Sequence, residues 1–409
     1  MRSPVPVMVL GNPSVTQLGV LRCYGRHGLA LVQVGFEGGH PSPSRYGGEH
    51  RTVGSIDRPE TQEELAALVL EVGRRLGAPV FVVPTCDRTA VATSRLQAEL
   101  GGDRCLAPLP GPELVSALVF KDEFAELLRR HPIAHPLTVP LTPTLSLEEV
   151  RAELAPPCII KPANSPAFWE RYQRKCFFAE DEAQLARYVE LCQREGIRAV
   201  VQERIPNPAL YCYATYLTRD GTALASVGFH KRRQWPVDFG VGSLVETRQE
   251  AALIAEGNDF LRRIGHQGLA ELEFALDPRD GVQKLIEVNA RPIMQNRLAA
   301  AAGCDLEWLA YSDLVLGERP ALHEPTEGVR WLGLDSDLVA AATLFRRGQL
   351  PVLDWLRSFA GVRVEAFFAP DDPAPFLRRW GDLGWHLAKT MPQRLAGRYR
   401  GVGSAGDDA

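Results

Sequence analysis

Two short runs carry side chains able to hold a cation and a phosphate together: Leu269-Ala-Glu-Leu-Glu-Phe-Ala-Leu-Asp277 and Lys284-Leu-Ile-Glu-Val-Asn-Ala-Arg291. Side chains alternate along a strand, so Glu271, Glu273, Glu287, Asn289 and Arg291 share one face, while Leu272, Phe274, Leu276, Ile286 and Val288 share the other. A turn centred on Asp280, beside Pro278 and Gly281, sets Glu273 directly opposite Glu287, with Cβ atoms roughly 5 Å apart. Like charges so placed repel unless a cation lies between them. Two carboxylates and an amide oxygen are hard donors that suit Mg²⁺ or Mn²⁺ carrying phosphates. The same pattern fits a hairpin with a solvated polar face.

Phosphoryl transfer also needs cations on the polyphosphate and a donor for the charge on the transferred group. Lys161 closes the apolar run Cys158-Ile-Ile-Lys-Pro162, and Lys175 opens Lys175-Cys-Phe-Phe178, each at a strand end or loop edge. Taken singly, either lysine fits an ordinary solubilising surface residue. Further on, His230-Lys-Arg-Arg-Gln-Trp-Pro236 leads into Gly240-Val-Gly-Ser243. This predicts a basic strand end and a flexible glycine loop whose N–H groups can cradle an anion, or simply an exposed basic edge. No Ser-His-Asp set has a recognisable elbow motif.

The elements that must position these groups can be read along the chain. Val5 to Leu10 and Leu29 to Val34 are short strands around a helix through Leu18, Val20 and Leu21. Thr61 and Glu64 form a capping box ahead of Leu65, Leu68, Val72 and Leu76, with Gly77 as the stop, and Val80 to Val83 is a buried strand ending at Pro84. Alternating strands and helices imply a mostly parallel, Rossmann-like sheet. Its first loop, Gly11-Asn-Pro-Ser14, lacks the GxGxxG fingerprint, so a dinucleotide site there has weak support, and a structural Rossmann-like unit that could offer a substrate edge fits better. A helix from Glu113 to Arg130 carries Lys121, and Pro132 to Pro143 is a linker. Residues 140 to 230 form a small α+β unit with a strand from Arg198 to Gln202 and a hairpin about Asp220-Gly221, and a helix near 249 to 264 precedes the acidic hairpin.

Bulk composition narrows the class. A length of 409 residues with 45% hydrophobic content suggests roughly two to four domains with real cores. A net charge of -4 argues against broad nucleic-acid binding. No run approaches the roughly 20 apolar residues of a membrane span, and Pro4 to Leu10 lacks a signal-peptide layout, so a cytoplasmic location is expected. The eight cysteines show no CxxC pair and no zinc spacing, as expected of reduced, buried thiols.

Taken in order, these motifs resemble the ATP-grasp superfamily over about residues 5 to 318. The resemblance rests on Val119-Phe-Lys-Asp-Glu-Phe124, on Ile159-Ile-Lys-Pro162, on Val200-Val-Gln-Glu-Arg-Ile205 and on the Glu-Phe…Glu-Val-Asn-Ala-Arg hairpin. Lys231-Arg-Arg-Gln-Trp-Pro236 and Arg291-Pro292 ahead of Leu298-Ala-Ala-Ala-Ala-Gly303 look most like the carboxylate–amine ligase branch, which includes proteins similar to the D-aspartate ligases of peptidoglycan cross-bridges.

The resemblance implies a mixed α/β and α+β protein: a pre-ATP-grasp Rossmann-like domain at 1–112, an ATP-grasp domain at 113–325 with a small lid subdomain at about 140–212, and a C-terminal extension at 326–409 ending in a disordered tail. Lys161 and Lys175 would bind the ATP phosphates, Lys121 would line the nucleotide cleft, and Gln202, Glu203 and Ile205 would border the adenine. Glu273, Glu287 and Asn289 would ligate Mg²⁺ (or Mn²⁺), and Arg291 with Lys231 or Arg233 would hold the transferred phosphoryl group and the substrate carboxylate. The implied activity is ATP-dependent joining of a small-molecule carboxylate to an amine through an acyl phosphate. A biotin carboxylase-type carboxylase or a non-catalytic nucleotide-binding protein are the alternatives. The loop from Pro162 to Arg174 lacks the superfamily's glycines, which separates it from the usual phosphate lid. Beyond about 326, Trp355, Trp380 and Trp385 suit core packing, a homodimer contact or a substrate wall, and Arg394, Arg398 and Arg400 suit a solvated helix end or an anionic surface.

Overall fold

The computed structural model describes residues 3–163, 168, 171–206, 208–237, 240–321 and 323–385. Residues 164–167, 169 and 170 of the expected lid loop, the arginine cluster at 394–400 and the tail from 401 lie outside the described residues.

The N-terminal unit is a five-stranded parallel sheet in which β1 (Val7–Leu10), β2 (Leu31–Phe36), β3 (Glu49–Val53), β4 (Val80–Pro84) and β5 (Cys105–Leu106) lie in the order β3-β2-β1-β4-β5. Val7 to Leu10 and Val80 to Val83 are fully buried, as apolar strands covered on both faces must be. The chain leaves β1 in opposite directions to reach β2 and β4, so the crevice at the carboxyl ends of β1 and β4 is the topological switch point, where open α/β sheets take their ligands. Gly11 is required there: a Cβ would lie 2.0 Å from Thr85 Oγ1. The helix over Pro59–Leu76 starts a turn earlier than the capping box predicts, because Pro59 occupies its first turn; Thr61 Oγ1 donates to Ser55 O and Glu64 accepts from the Gly54 N–H instead.

The helix expected over 113–130 is two helices, Pro112–Val119 and Lys121–Arg129, divided at Phe120, whose backbone is extended. Asp122 and Glu123 favour a helix start there, and Lys121 becomes its first residue. The Pro-rich linker contains a strand, β6 (Thr138–Leu141). It lies at the edge of a four-stranded antiparallel sheet with β7 (Cys158–Pro162), β8 (Phe177–Ala179) and β9 (Ala199–Glu203), where the missing N–H of Pro140 is tolerated.

The largest sheet has seven strands: β10 (Ala209–Leu217), β11 (Ala223–Trp235), β12 (Val241–Thr247), β13 (Gly268–Leu276), β14 (Gln283–Asn289), β15 (Arg330–Leu332) and β16 (Val362–Glu365), in the order β14-β13-β10-β11-β12-β15-β16. The glycine run predicted as an anion loop is therefore the start of β12, with Val241 paired to Trp235. Residues after 326 supply two strands of this same sheet, and the helix over Leu334–Arg346 packs on β11 and β12. Trp355 packs edge-on against Phe345 and Phe359, whereas Trp385 is 66% exposed. The eight cysteines are free thiols, six of them buried. No described helix is long and apolar enough to cross a membrane.

Candidate active site

β13 and β14 pair antiparallel with Glu273 opposite Glu287 and Glu271 opposite Asn289, as strand alternation and the turn predict. Nearer the turn the register shifts: Phe274 pairs with Leu285, leaving Ile286 as an extra residue. Leu285 is buried in the core and Ile286 is only half-buried, which reverses the expected assignment.

This hairpin forms one wall of a cleft of about 700 Å³; the other wall is the carboxyl edge of the N-terminal sheet. Glu271, Glu273, Glu287, Asn289, Arg291 and Lys231 face it from one side, and Gly11–Ser14 with Thr85–Thr89 from the other. Lys231 Nζ donates to Glu273 Oε2 at 2.6 Å, and Lys121 Nζ lies 3.9 Å from Glu287 Oε1. Burial opposes the Lys231 charge, but Glu273 and Glu271 outweigh it and its pKa is raised. Asn289 Nδ2 donates to Glu271 Oε2 at 3.0 Å, which leaves Asn289 Oδ1 to accept from Arg291 Nη2 at 3.0 Å.

Glu271, to which the sequence assigns no role, is only 5% exposed. Burial first, and then the charge of Glu273, raise its carboxyl pKa well above the ordinary carboxylate range, against the opposing pull of Lys231 and Arg291. Asp87 was not singled out by sequence either. It is the first residue of the helix over Asp87–Leu100 and accepts from Arg291 Nε at 2.6 Å. The one signal that could have found it is its place just beyond a buried strand of a parallel sheet.

The lysines and hinge residues sit on the neighbouring four-stranded sheet. Lys161 Nζ donates to Gln202 Oε1 at 2.6 Å, and Gln202 Nε2 donates to Thr138 Oγ1 at 2.8 Å. Burial first and the charge of Lys121 second lower the Lys161 pKa, while Glu287 and Glu273 act in the opposite sense, so these four groups share one electrostatic neighbourhood. Lys175 is exposed, close enough to Cys176 for its charge to act on that thiol alongside that of Lys161. Glu203 accepts from the Leu137 N–H, from Arg279 Nη2 at 2.6 Å and from Lys284 Nζ at 3.1 Å, tying the end of β9 to the hairpin turn. Ile205 is buried just beyond.

Arg233 is not brought to the cleft. An irregularity at Arg232 breaks the alternation of β11, and Arg233 enters a buried, two-point ion pair with Asp337, 2.8 Å from Nε and 2.9 Å from Nη2. Its donors are occupied where no substrate reaches them, so an anion-holding role does not fit it.

Among the described residues no three His, Cys, Asp or Glu side chains converge as a metal cage. The opposed Glu273 and Glu287 and the Asn289 oxygen form a smaller donor set. That set fits Mg²⁺, which takes one or two carboxylates and fills its remaining positions with substrate phosphates and water. The four cations around it match a polyphosphate.

No family model matches the chain, and no curated protein matches it in sequence. Solved structures do match in fold, and the architecture is that of the ATP-grasp proteins. The biotin carboxylase domain of Hydrogenobacter thermophilus 2-oxoglutarate carboxylase, solved with MgADP, ADP and bicarbonate, matches with a TM-score of 0.63 at 17% identity, over 80% of this chain and 74% of that one. An L-amino acid ligase from Bacillus licheniformis matches with a TM-score of 0.56 at 15% identity, over 80% of this chain and 76% of that one. An N5-carboxyaminoimidazole ribonucleotide synthetase in complex with ADP matches with a TM-score of 0.60 at 14% identity, over 81% and 82%.

Proposed function

We propose that the protein is an ATP-dependent ligase that joins a carboxylate to an amine, releasing ADP and phosphate. The observation that carries this reading is the in-register Glu273–Glu287 pair facing a cleft lined by Lys231 and Arg291, with Lys121 Nζ 3.9 Å from Glu287 Oε1 and Lys161 in the same electrostatic neighbourhood. Glu273, Glu287 and Asn289 would hold Mg²⁺, which when bound offsets charge on the β- and γ-phosphates. Lys161 and Lys175 steady the phosphates from the neighbouring sheet, with Lys121 between them and Glu287. The segment from Gln202 to Ile205 borders the adenine, chiefly through its backbone, since the Glu203 carboxylate is engaged with Arg279 and Lys284.

The substrate carboxylate attacks the γ-phosphorus, forming an acyl phosphate and breaking the bond to ADP. Arg291 and Lys231 bind the transferred group as its charge spreads. The amine then adds to the acyl carbon and phosphate leaves, giving the amide. Neither step needs a protein nucleophile, in keeping with the missing elbow motif. The switch-point loops Gly11–Ser14 and Thr85–Thr89 close the far side of the cleft and form the wall against which the non-nucleotide substrates pack.

The test is a phosphate-release screen of amino acids and small carboxylates in pairs, with ATP and Mg²⁺, including bicarbonate with biotin. Release that depends on one acid and one amine is expected. Release that depends on bicarbonate and rises with biotin would replace this reading with a carboxylase. ATP binding without turnover across the panel would leave a nucleotide-binding protein.

A further inference from the structure

Resting on the ligase reading, we infer that Asp87 is the positioning residue of Arg291, so that the N-terminal unit sets the aim of the arginine that meets the transferred phosphoryl group. All three guanidinium nitrogens have partners: Nε donates to Asp87 Oδ1 at 2.6 Å, Nη2 to Asn289 Oδ1 at 3.0 Å and Nη1 to Pro292 O at 3.3 Å. The last two belong to Arg291's own segment. Asp87 alone comes from the opposite wall, and it makes the shortest of the three contacts and the only one to a charged group.

The position of Asp87 is itself well determined. Thr89 Oγ1 accepts from the Thr85 and Cys86 N–H groups at 3.0 Å, and Thr85 Oγ1 donates to Leu10 O at 2.8 Å, which locks the helix start to the strand ends. Competition explains why such an anchor is needed. The Arg291 charge also feels Glu271 and Glu287, in that order after Asp87. An arginine side chain is long and has several rotatable bonds, so without a partner across the cleft its guanidinium folds back onto the carboxylates of its own hairpin. There it would neutralise the groups that face the nucleotide's cation and be withdrawn from the incoming phosphoryl oxygens. Asp87 holds it between the two walls, and two of its five N–H donors stay available for an anion.

The probe is Mg·ADP with and without aluminium fluoride, which mimics the phosphoryl group in transfer, followed by titration calorimetry on wild type, Asp87→Ala, Asp87→Asn, Asp87→Glu, Arg291→Met and the Asp87→Ala/Arg291→Met double variant. Fluoride should tighten ADP binding in wild type. Asp87→Ala should leave Mg·ADP affinity within about twofold and remove roughly tenfold or more of the fluoride tightening. Asp87→Glu should restore most of it, Asp87→Asn should fall between, and the double variant should lose no more than Arg291→Met alone. Wild-type tightening in Asp87→Ala, or additive losses in the double variant, would overturn the inference and leave the ligase reading standing. Tightening absent from wild type that still binds Mg·ADP removes the anion role of Arg291, and the inference with it. Wild type that does not bind Mg·ADP overturns both.

Discussion

The buried pair of Arg233 and Asp337 allows a sharp separation of architecture from chemistry. Asp337 accepts four hydrogen bonds: from Arg233 Nε at 2.8 Å and Nη2 at 2.9 Å, from Ser243 Oγ at 3.0 Å and from Trp355 Nε1 at 2.9 Å. The two charged side chains are 7% and 0% exposed, so solvent screens them little. Asp337→Ala strands a buried guanidinium charge, a loss of about 3–5 kcal/mol, and leaves two neutral donors unpaired at about 1 kcal/mol each. Partial relaxation overlaps these terms, and a total of about 4 kcal/mol is expected. The Arg233→Met/Asp337→Leu variant removes both charges and leaves only Ser243 and Trp355 unsatisfied, so it should lose about 2 kcal/mol, less than the single Asp337→Ala change. Equilibrium urea unfolding followed by far-UV circular dichroism measures both, with Mg·ADP affinity taken in parallel and expected to be unchanged in Arg233→Met. A loss below about 1 kcal/mol in Asp337→Ala would refute the energetic argument. Arg233→Met that unfolds like wild type but no longer binds nucleotide would return Arg233 to the active site.

Glu287→Gln should weaken Mg·ADP by at least about tenfold while leaving the urea midpoint within experimental spread, as read by calorimetry at several Mg²⁺ concentrations; unchanged affinity counts against the metal assignment. His266 is 1% exposed, and burial lowers its pKa to about 4. Its unfolded value is about 6.5, so between these the unfolded chain binds more protons, and stability that is full above about pH 6.5 declines by about 3 kcal/mol as pH falls to about 4. His266→Phe should flatten that acid limb of the urea midpoint, and a parallel slope in the variant would refute the assignment. Asp372, fully buried, accepts from Arg22 Nε at 2.9 Å, Ser44 Oγ at 2.7 Å and the Arg45 N–H at 2.9 Å, whereas Asp371 is 38% exposed in its pair with Arg26. Asp372→Ala should therefore destabilise by about 3–5 kcal/mol and speed proteolysis of the C-terminal segment, with Asp371→Ala below about 1 kcal/mol; equal effects would contradict the burial argument.

Strand periodicity is local, and much of the hairpin followed from it. The period of two and the Pro278–Gly281 turn predicted the face shared by Glu271, Glu273, Glu287, Asn289 and Arg291 and the Glu273–Glu287 register. The same argument assigned Ile286 to the core in place of Leu285, because a one-residue bulge leaves no mark in an alternating pattern. The parallel N-terminal sheet was legible in its apolar runs, but the weak polar strand β3 was not, and neither was the strand within the Pro-rich linker. Charge alone drew attention to Arg233 as much as to Lys231, since both lie on one basic strand.

What the amino-acid sequence determined by itself is therefore the kind of chemistry: which carboxylates, amide and cations exist, and which of them share a strand face. Tertiary structure decided their partners. Asp87 reaches Arg291 from 204 residues away, Asp337 draws Arg233 out of the cleft from 104 residues away, and Glu271 gains its raised pKa from burial among neighbours. Periodicity follows from backbone geometry within a few residues, whereas ion pairing and desolvation follow from distances that only the packed chain sets.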